Sequence, residues 1–522
     1  MIKENTLIVK VSKKCDVDCY VAFVFKEREE KYMSTGTAVE RDKNILAESE
    51  RTENQNIIDA EVAIIGGGPG GYVAAIRCAQ HGLKTVLIEY DRLGGTCLNR
   101  GCIPTKTLVS VTNFISNLKN AEKYGVSIPS WEYSLEKIRN KKNEIVDSLV
   151  QGIEFLMKKH KIEVIKGKAV IEKEGILAVE GTERKVRFGK LIIATGSKAQ
   201  KPPIPGADLP DILTSDELLE LTDIPESLTI IGGGVIGMEF AFIYSAFGCK
   251  VHVVEFLPQI LNMLDTDAAS AIKRAARQKG IEIYEASRAL SIESAPDGKK
   301  VVNIERKGKT ESITTEKVAI AAGRKANLDS IDLDKLGVQL NDRKNGIKVN
   351  QNMQTSNPSV YAIGDVTNLS MLAHAASRQG IIAADHIAGI ENKECFDPHL
   401  IPSAIFTSPE IGHIGYTVKE AKEENREVIT GKFPLGANSK AVAMQEADGF
   451  VKIVADKETR KIIGATVVGA EATELLSLVT NLVTAQVSLD EADKVIYAHP
   501  TVSEAISEAI LDADGKAIHF GK

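Results

Sequence analysis

The pattern G-x-G-x-x-G occurs twice in this 522-residue chain, each time after a short apolar run and each time with a glutamate at one fixed distance beyond it. The first copy is Gly66, Gly68 and Gly71 after Val62-Ala63-Ile64-Ile65, and Glu89 stands 18 residues past Gly71. The second is Gly232, Gly234 and Gly237 after Ile230-Ile231, and Glu255 again stands 18 residues past Gly237. Each position answers a physical need. The first glycine permits a tight turn, the second lets a pyrophosphate approach the backbone, and the third lets helix and strand pack closely. The helix N-terminus adds a positive dipole, and the acidic residue accepts hydrogen bonds from a ribose. A single copy can be no more than a tight turn. Two copies in matching register predict two βαβ units, each binding a dinucleotide, with parallel sheets covered by helices on both faces. A carboxylate at Glu255, with no arginine close after it, repels a 2′-phosphate and favours NAD over NADP in the second unit.

A chain this long needs several cores. The stiff run Pro202-Pro203-Ile204-Pro205-Gly206 marks a crossing between the two units. Beyond about 398 the pattern changes, with strands expected at 450–455 and 462–468 and helices at 471–486 and 502–512. The fold class is therefore α/β, with two Rossmann-like domains (59–202 and 203–326), a central domain (327–397) and a C-terminal α+β domain (398–522). Residues 1–58 read as an appendage. A net charge of −6 supplies no basic field for nucleic acid or membrane. Neither a signal peptide nor an 18-residue apolar span is found, which predicts a cytoplasmic protein acting on small soluble groups.

In a reducing compartment, a chain with seven cysteines is expected to use any cysteine pair catalytically. Cys97 and Cys102 lie in Gly94-Gly95-Thr96-Cys97-Leu98-Asn99-Arg100-Gly101-Cys102-Ile103-Pro104-Thr105-Lys106. Five residues of regular helix rise about 7.5 Å, beyond the roughly 4.4–6.8 Å Cα separation of a disulfide. If the two are bonded the helix must be distorted, for which Gly101 and Pro104 are suited, and the bond is readily reduced. The bland alternatives are two unrelated buried thiols or half of a metal site. Zinc would require further cysteines or histidines nearby, and none is present, so no metal is expected. Cys78, Cys249 and Cys395 stand singly among apolar residues and read as core.

Taken together, the 94–106 run, both fingerprints, Ala194-Thr195-Gly196, Tyr361-Ala362-Ile363-Gly364-Asp365 and His499-Pro500-Thr501 with Glu504 resemble the class I pyridine nucleotide-disulfide oxidoreductases over about 59–522. Within them the likeness is greatest to the dihydrolipoamide dehydrogenases. The resemblance implies that 59–202 binds FAD through Gly66, Gly68, Gly71, Glu89, Lys106, Thr195 and Gly196. The central domain completes that site with Asp365 at the ribitol and Ala373 on a helix whose start includes His374. NAD would be held by Gly232, Gly234, Gly237, Glu255 and Gly323. The resemblance further implies a redox disulfide in which Cys97 exchanges with substrate and Cys102 faces the flavin. Lys106 would pair with Glu239 beside the flavin, and His499 would act as base, oriented by Glu504. The chemistry asks for such a pair, since thiol exchange needs a thiolate and a base of near-neutral pKa. Read alone, His499 would be a loop histidine and Glu504 the first turn of the next helix. The base is implied to come from the other subunit of a homodimer joined through 398–522.

The implied reaction is oxidation of protein-bound dihydrolipoamide, with electrons passing through the Cys97–Cys102 disulfide and FAD to NAD⁺. The partner would be a lipoylated carrier of a 2-oxoacid dehydrogenase, acetoin or glycine-cleavage complex. Competing readings are a related disulfide or metal reductase and a non-catalytic flavoprotein scaffold. Two departures from the family pattern are mild: Tyr497 stands where a histidine is usual, and Ala326 where a proline is. In the appendage, Asp42-Lys43 only faintly resembles a lipoyl hairpin. Cys15 and Cys19 begin a cluster motif whose third position is Ala22.

Overall fold

Strand β1 (Ile57–Ile65) ends in Val62-Ala63-Ile64-Ile65, all buried, as a central parallel strand covered on both faces must be. It belongs to a computed structural model that describes residues 56–329, 331–391 and 396–520. The expectations for Cys15, Cys19, Asp42-Lys43 and Cys395 lie outside those residues. Helix α1 (Pro69–Gln80) carries the chain from β1 to β2 (Thr85–Glu89), which pairs with β1 in parallel from Val62↔Thr85 to Ile65↔Ile88. Two helices follow, α2 (Gly95–Arg100) and α3 (Cys102–Lys119), and then the long α4 (Leu135–Lys159). Strand β3 (Glu163–Lys166) extends the sheet beyond β2. On the other flank of β1 lies β6 (Lys185–Ile193), whose outer edge is shared. Its first half pairs with the hairpin β4 (Ala169–Lys173) and β5 (Ile176–Val179) through β5, and its last three residues pair with β17 (Val360–Ala362). The ends of β1, β6 and β17 therefore converge, which is where open α/β sheets bind ligands.

A second parallel sheet has the order β11-β10-β9-β15-β8, built from β8 (Ile212–Leu213), β9 (Ser227–Ile231), β10 (Lys250–Val254), β11 (Glu282–Tyr284) and β15 (Lys317–Ile320). Helix α5 (Val235–Ala246) joins β9 to β10, and α6 (Thr266–Gln278) follows. Short strands β7 (Ser197–Ala199) and β16 (Arg324–Ala326) pair between the two sheets. Helix α7 (Ala373–Ile387) lies along α1, tied by Arg77 Nε to Asp385 at 2.5 Å and by His81 to the same carboxylate at 2.7 Å. The C-terminal portion is an antiparallel sheet, β18 (Ser403–Ile405), β19 (Glu410–Gly415), β22 (Ile462–Gly469), β21 (Phe450–Asp456) and β20 (Val428–Pro434) in spatial order. It is packed by α8 (Ala472–Thr484) and α9 (Glu504–Ala513).

One expectation fails. Helices cover only one face of each parallel sheet. Val62, Ile64 and Leu87 pack on α1, α4 and α7, whereas Ala63, Ile65 and Val86 face the β4–β5 hairpin and the irregular segment carrying Ile331, Leu336, Val338 and Ile347. In the second sheet, Ile231, Val254 and Val318 meet an antiparallel meander of β12 (Ser287–Ser294), β13 (Lys300–Arg306) and β14 (Lys309–Thr315). Alternating side chains demand an apolar cover on each face, and strands satisfy that as well as helices.

Candidate active site

The two glycine fingerprints adopt one geometry. Gly67 N–H donates to Glu89 Oε2 at 2.6 Å and Gly233 N–H to Glu255 Oε2 at 2.5 Å. The second oxygen of each acid accepts the N–H two residues on, Asp91 and Leu257, both at 2.7 Å. Both acids are thereby locked at the strand ends, and a carboxylate still has lone pairs left for ribose hydroxyls. Burial raises the Glu89 pKa above the usual carboxylate range, against the lowering effect of the Gly67 and Tyr90 amides and the Arg100 charge. The three glycines of each copy do different work. A Cβ on Gly71 or Gly237 would lie 1.8 or 1.9 Å from the carbonyl oxygen of Gly66 or Gly232, so the third glycine is needed for packing. A Cβ on Gly234 meets nothing within 4 Å, and one on Gly68 only Gly95 Cα at 3.8 Å. The middle glycines face open space, a cradle that a methyl would fill and a pyrophosphate fits.

Their substitutions should therefore part company. Gly237→Ala is expected to cost about 1–3 kcal/mol, seen as a lower Tm, together with NAD affinity. Gly234→Ala should keep the Tm and lose only NAD affinity. Equal Tm losses would count against the cradle.

Both cradles open into one cleft of about 1450 Å³, larger than the roughly 300–1,000 Å³ of a drug-sized site. Its walls include Gly66, Gly68, Glu89, Cys97, Cys102, Lys106, Thr195, Gly196, Glu239, Asp365 and Ala373, as well as Gly232, Gly234, Glu255 and Gly323. Gly71 and Gly237 sit behind the walls. The donor set suits two dinucleotides, one at each cradle.

The cysteines stand where the helix breaks. α2 ends at Arg100 and α3 begins at Cys102, with Gly101 between them at φ −142° and ψ −114°. A Cβ at Gly101 would meet the Thr96 carbonyl oxygen at 2.8 Å and Cys97 Cα at 3.2 Å, so a side chain there would push the two cysteines apart. Both are thiols in this structure, and their side chains are hydrogen-bonded. The two cysteines thus influence each other's protonation, and the described residues contain no group of three metal ligands. Cys102 is open to the cleft by surface area although protein crowds its other sides. The Cys97 hydrogen bond brings its pKa down to about 7, against burial and with help from the Lys106 cation. The same hydrogen bond, reinforced by burial, holds Cys97 protonated. By contrast Cys78 and Cys249 are buried thiols pushed up to about 12, inert at neutral pH.

Lys106 Nζ contacts both oxygens of Glu239, at 2.9 and 2.8 Å, and lies 4.5 Å from the ring centre of Phe406, whose N–H donates to Glu239 Oε1 at 3.0 Å. Because the Lys106 charge favours the thiolate and Glu239 opposes it, Lys106→Met should move the Cys102 titration upward. Alkylation by iodoacetamide at pH 7 should slow several-fold, and adding Glu239→Gln should recover part of it. An unmoved midpoint would remove Lys106 from that role. Asp365 is raised by burial, against a 2.5 Å hydrogen bond from Ser197 Oγ and the charge of Arg324, which itself donates to Ser197 Oγ at 2.7 Å. Gln379 Oε1 accepts the Gly364 N–H at 2.6 Å. Phe406, Ser197 and Gln379 carry no local motif that would have marked them as site residues, whereas Arg324 stands in the Gly323-Arg324 motif of the family pattern.

His499 and Glu504 are together: Nδ1 and Oε1 are 2.9 Å apart, and Thr501 N–H donates to Oε2 at 2.9 Å. Burial works to raise Glu504, but Thr501 and then His499 outweigh it and hold the carboxyl below its usual range. The pair does not line the cleft of its own chain, and the His499 side chain is 71% exposed.

Residues 60–380 match the family model described as pyridine nucleotide-disulphide oxidoreductase, and residues 401–510 match its dimerisation domain. A dihydrolipoyl dehydrogenase of Bacillus subtilis is 40% identical, covering 88% of this chain and 99% of its own. The mitochondrial dihydrolipoyl dehydrogenase of Schizosaccharomyces pombe is 37% identical, covering 88% and 91%. Among solved structures, LpdA from Mycobacterium tuberculosis superposes with a TM-score of 0.79 at 27% identity, covering 86% and 98%. The Cu(II) complex of RclA, an HOCl-induced flavoprotein disulfide reductase of Escherichia coli, gives 0.77 at 26%, covering 87% and 99%. No helix among the described residues is long and apolar enough to cross a membrane.

Proposed function

The chain belongs to the pyridine nucleotide-disulphide oxidoreductase family, and from that premise we propose that it is a dihydrolipoyl dehydrogenase, oxidising carrier-bound dihydrolipoamide with NAD⁺ as final acceptor. The observation that carries this is the Cys97/Cys102 pair in the wall of a cleft that also holds both dinucleotide cradles. FAD held at Gly66, Gly68 and Glu89 and NAD held at Gly232, Gly234 and Glu255 would supply the two-electron chemistry that returns the dithiol to the disulfide.

The protein's own residues account for the exchange. His499, with Nδ1–H turned to Glu504, offers Nε2 as acceptor for the proton of one substrate thiol. That thiolate attacks Cys97 Sγ of the Cys97–Cys102 disulfide, and the S–S bond breaks with its electron pair on Cys102. A leaving thiol of low pKa is the faster one, and the neighbouring Lys106 stabilises its charge. The second substrate sulfur then displaces Cys97, closing the lipoamide disulfide, and its proton ends on Cys97. The products are lipoamide, a Cys97 thiol, a Cys102 thiolate and one proton on His499, the protonation pattern the two cysteines favour here.

His499 lies outside its own cleft, so a second copy supplies it, and the active form is a homodimer. Ile496, 96% exposed, and Ile518, 74% exposed, give that flank of the C-terminal portion apolar surface for association to cover. The reading is of a cytoplasmic enzyme. Its test is direct: the purified protein should be yellow, should reduce NAD⁺ with dihydrolipoamide and should retain lipoylated carrier proteins. A colourless protein, or a flavoprotein that turns over only other disulfides or metals, would defeat it.

A further inference from the structure

Asp265 is the N-cap residue of α6, yet its side chain makes no capping hydrogen bond to that helix. Its oxygens are taken by the C-terminal portion instead. Lys452 Nζ of β21 lies 2.6 Å from Oδ2. The N–H groups of Val418 and Lys419, which open a short helix there (Val418–Glu423), donate to Oδ2 and Oδ1 at 3.2 and 3.4 Å. Lys452 Nζ also reaches Asp267 Oδ1 at 2.8 Å, and Lys432 Nζ of β20 reaches Asp267 Oδ2 at 2.8 Å. The cluster is enclosed: the Lys452 side chain is 7% exposed and that of Asp265 11%. Lys432 and Lys452 are direct cross-strand partners, an arrangement that like charges disfavour and that the two aspartates offset.

A buried ion pair is a weak source of net stability, since apolar residues of similar volume do as well. What it supplies is a single geometry, because a charge removed from water has no second partner to slide to. The other end of the connection is the second cradle. Asp265 directly follows a turn in which Leu264 N–H donates to the Leu261 carbonyl and Leu261 N–H donates to the Gly233 carbonyl, both at 2.9 Å. Ile260, Leu261 and Leu264 of that turn are buried. An unbroken path of buried contacts thus runs from the C-terminal sheet to the glycine fingerprint.

We propose that Lys452 is a positioning residue for the nicotinamide half-reaction: through Asp265, Asp267 and the turn 260–264 it fixes the second cradle, and the dinucleotide held there, against the C-terminal portion. The inference rests on the NAD reading given above.

The experiment compares the intact flavoprotein with Lys452→Met and Lys452→Arg by two readouts. One is amide hydrogen exchange in the turn, and the other is single-turnover reduction of the flavin by saturating NADH and by dihydrolipoamide. In Lys452→Met the Leu261 and Leu264 amides should exchange about tenfold faster and reduction by NADH should slow about tenfold, part of the roughly 10²-fold that a misplacement of about 1 Å costs. Reduction by dihydrolipoamide should be unchanged, and Lys452→Arg should restore both readouts. Should Lys452→Met not fold, Lys452→Met combined with Asp265→Asn removes one charge of each sign, leaves Lys432 on Asp267 and carries the same expectations. Unchanged exchange and an unchanged NADH rate beside a lowered Tm make the cluster structural only and overturn the proposal, as does equal slowing of both half-reactions. Wild-type flavin that NADH does not reduce overturns the NAD reading and the proposal with it, so the wild type tells the two failures apart.

Discussion

Replacing Cys97 with serine should stop dihydrolipoamide-dependent reduction of NAD⁺, by about 10⁴-fold or more, as deletion of a covalent nucleophile does. Electron flow from NADH to an artificial dye should continue, and the protein should keep its colour. The asymmetry follows from the site. A serine hydroxyl cannot form the mixed disulfide, whereas neither dinucleotide cradle depends on the Cys97 sulfur. The glutamate anchors Gly67–Glu89 and Gly233–Glu255 are made without it. Stopped turnover measured beside dye reduction separates the two halves of the reaction. Appreciable lipoamide activity in Cys97→Ser would refute the assignment of Cys97 as the exchanging thiol.

Mixing two inactive variants should restore activity. Cys97→Ser and His499→Gln, each expected to be nearly inert as a homodimer, complement each other if the base acts across the interface. A mixed dimer has one intact site, combining Cys97 of one chain with His499 of the other. Random exchange of subunits makes half the dimers mixed, so about a quarter of wild-type turnover should return. The alternative, a base acting within its own chain, predicts no recovery, because no site in the mixture would then hold both groups. Removing the general base alone is expected to cost about 10²–10⁴-fold. The geometry behind this is the 71% exposure of His499 and its absence from the cleft walls, although its bond to Glu504 is already made.

Much of this was legible residue by residue because the constraints are local. A third glycine whose Cβ would lie within 2 Å of the first glycine's carbonyl oxygen leaves its mark within six residues of sequence. The break at Gly101 followed from the length of five helical residues against the span of a disulfide. His499 and Glu504 were paired only by the family resemblance, because read alone they are a loop histidine and the first turn of the next helix. The helical cover expected on both sheet faces was an over-reading: two-residue periodicity requires something apolar on each face and says nothing of its secondary structure.

Where local spacing sets the chemistry, the linear chain was sufficient: two dinucleotide cradles and a cysteine pair in a broken helix. What surrounds those groups came from folding. Ser197 and Arg324 reach Asp365 because β7 and β16 pair, and Phe406 reaches Lys106 and Glu239 from a strand end more than 150 residues away in sequence. That His499 stands outside the cleft, and that Lys452 meets Asp265, are likewise matters of packing. Turn, spacing and capping rules act within a few residues and are written in order along the chain. Burial, and the charges that move the cysteines' protons, depend on which distant elements share a cleft.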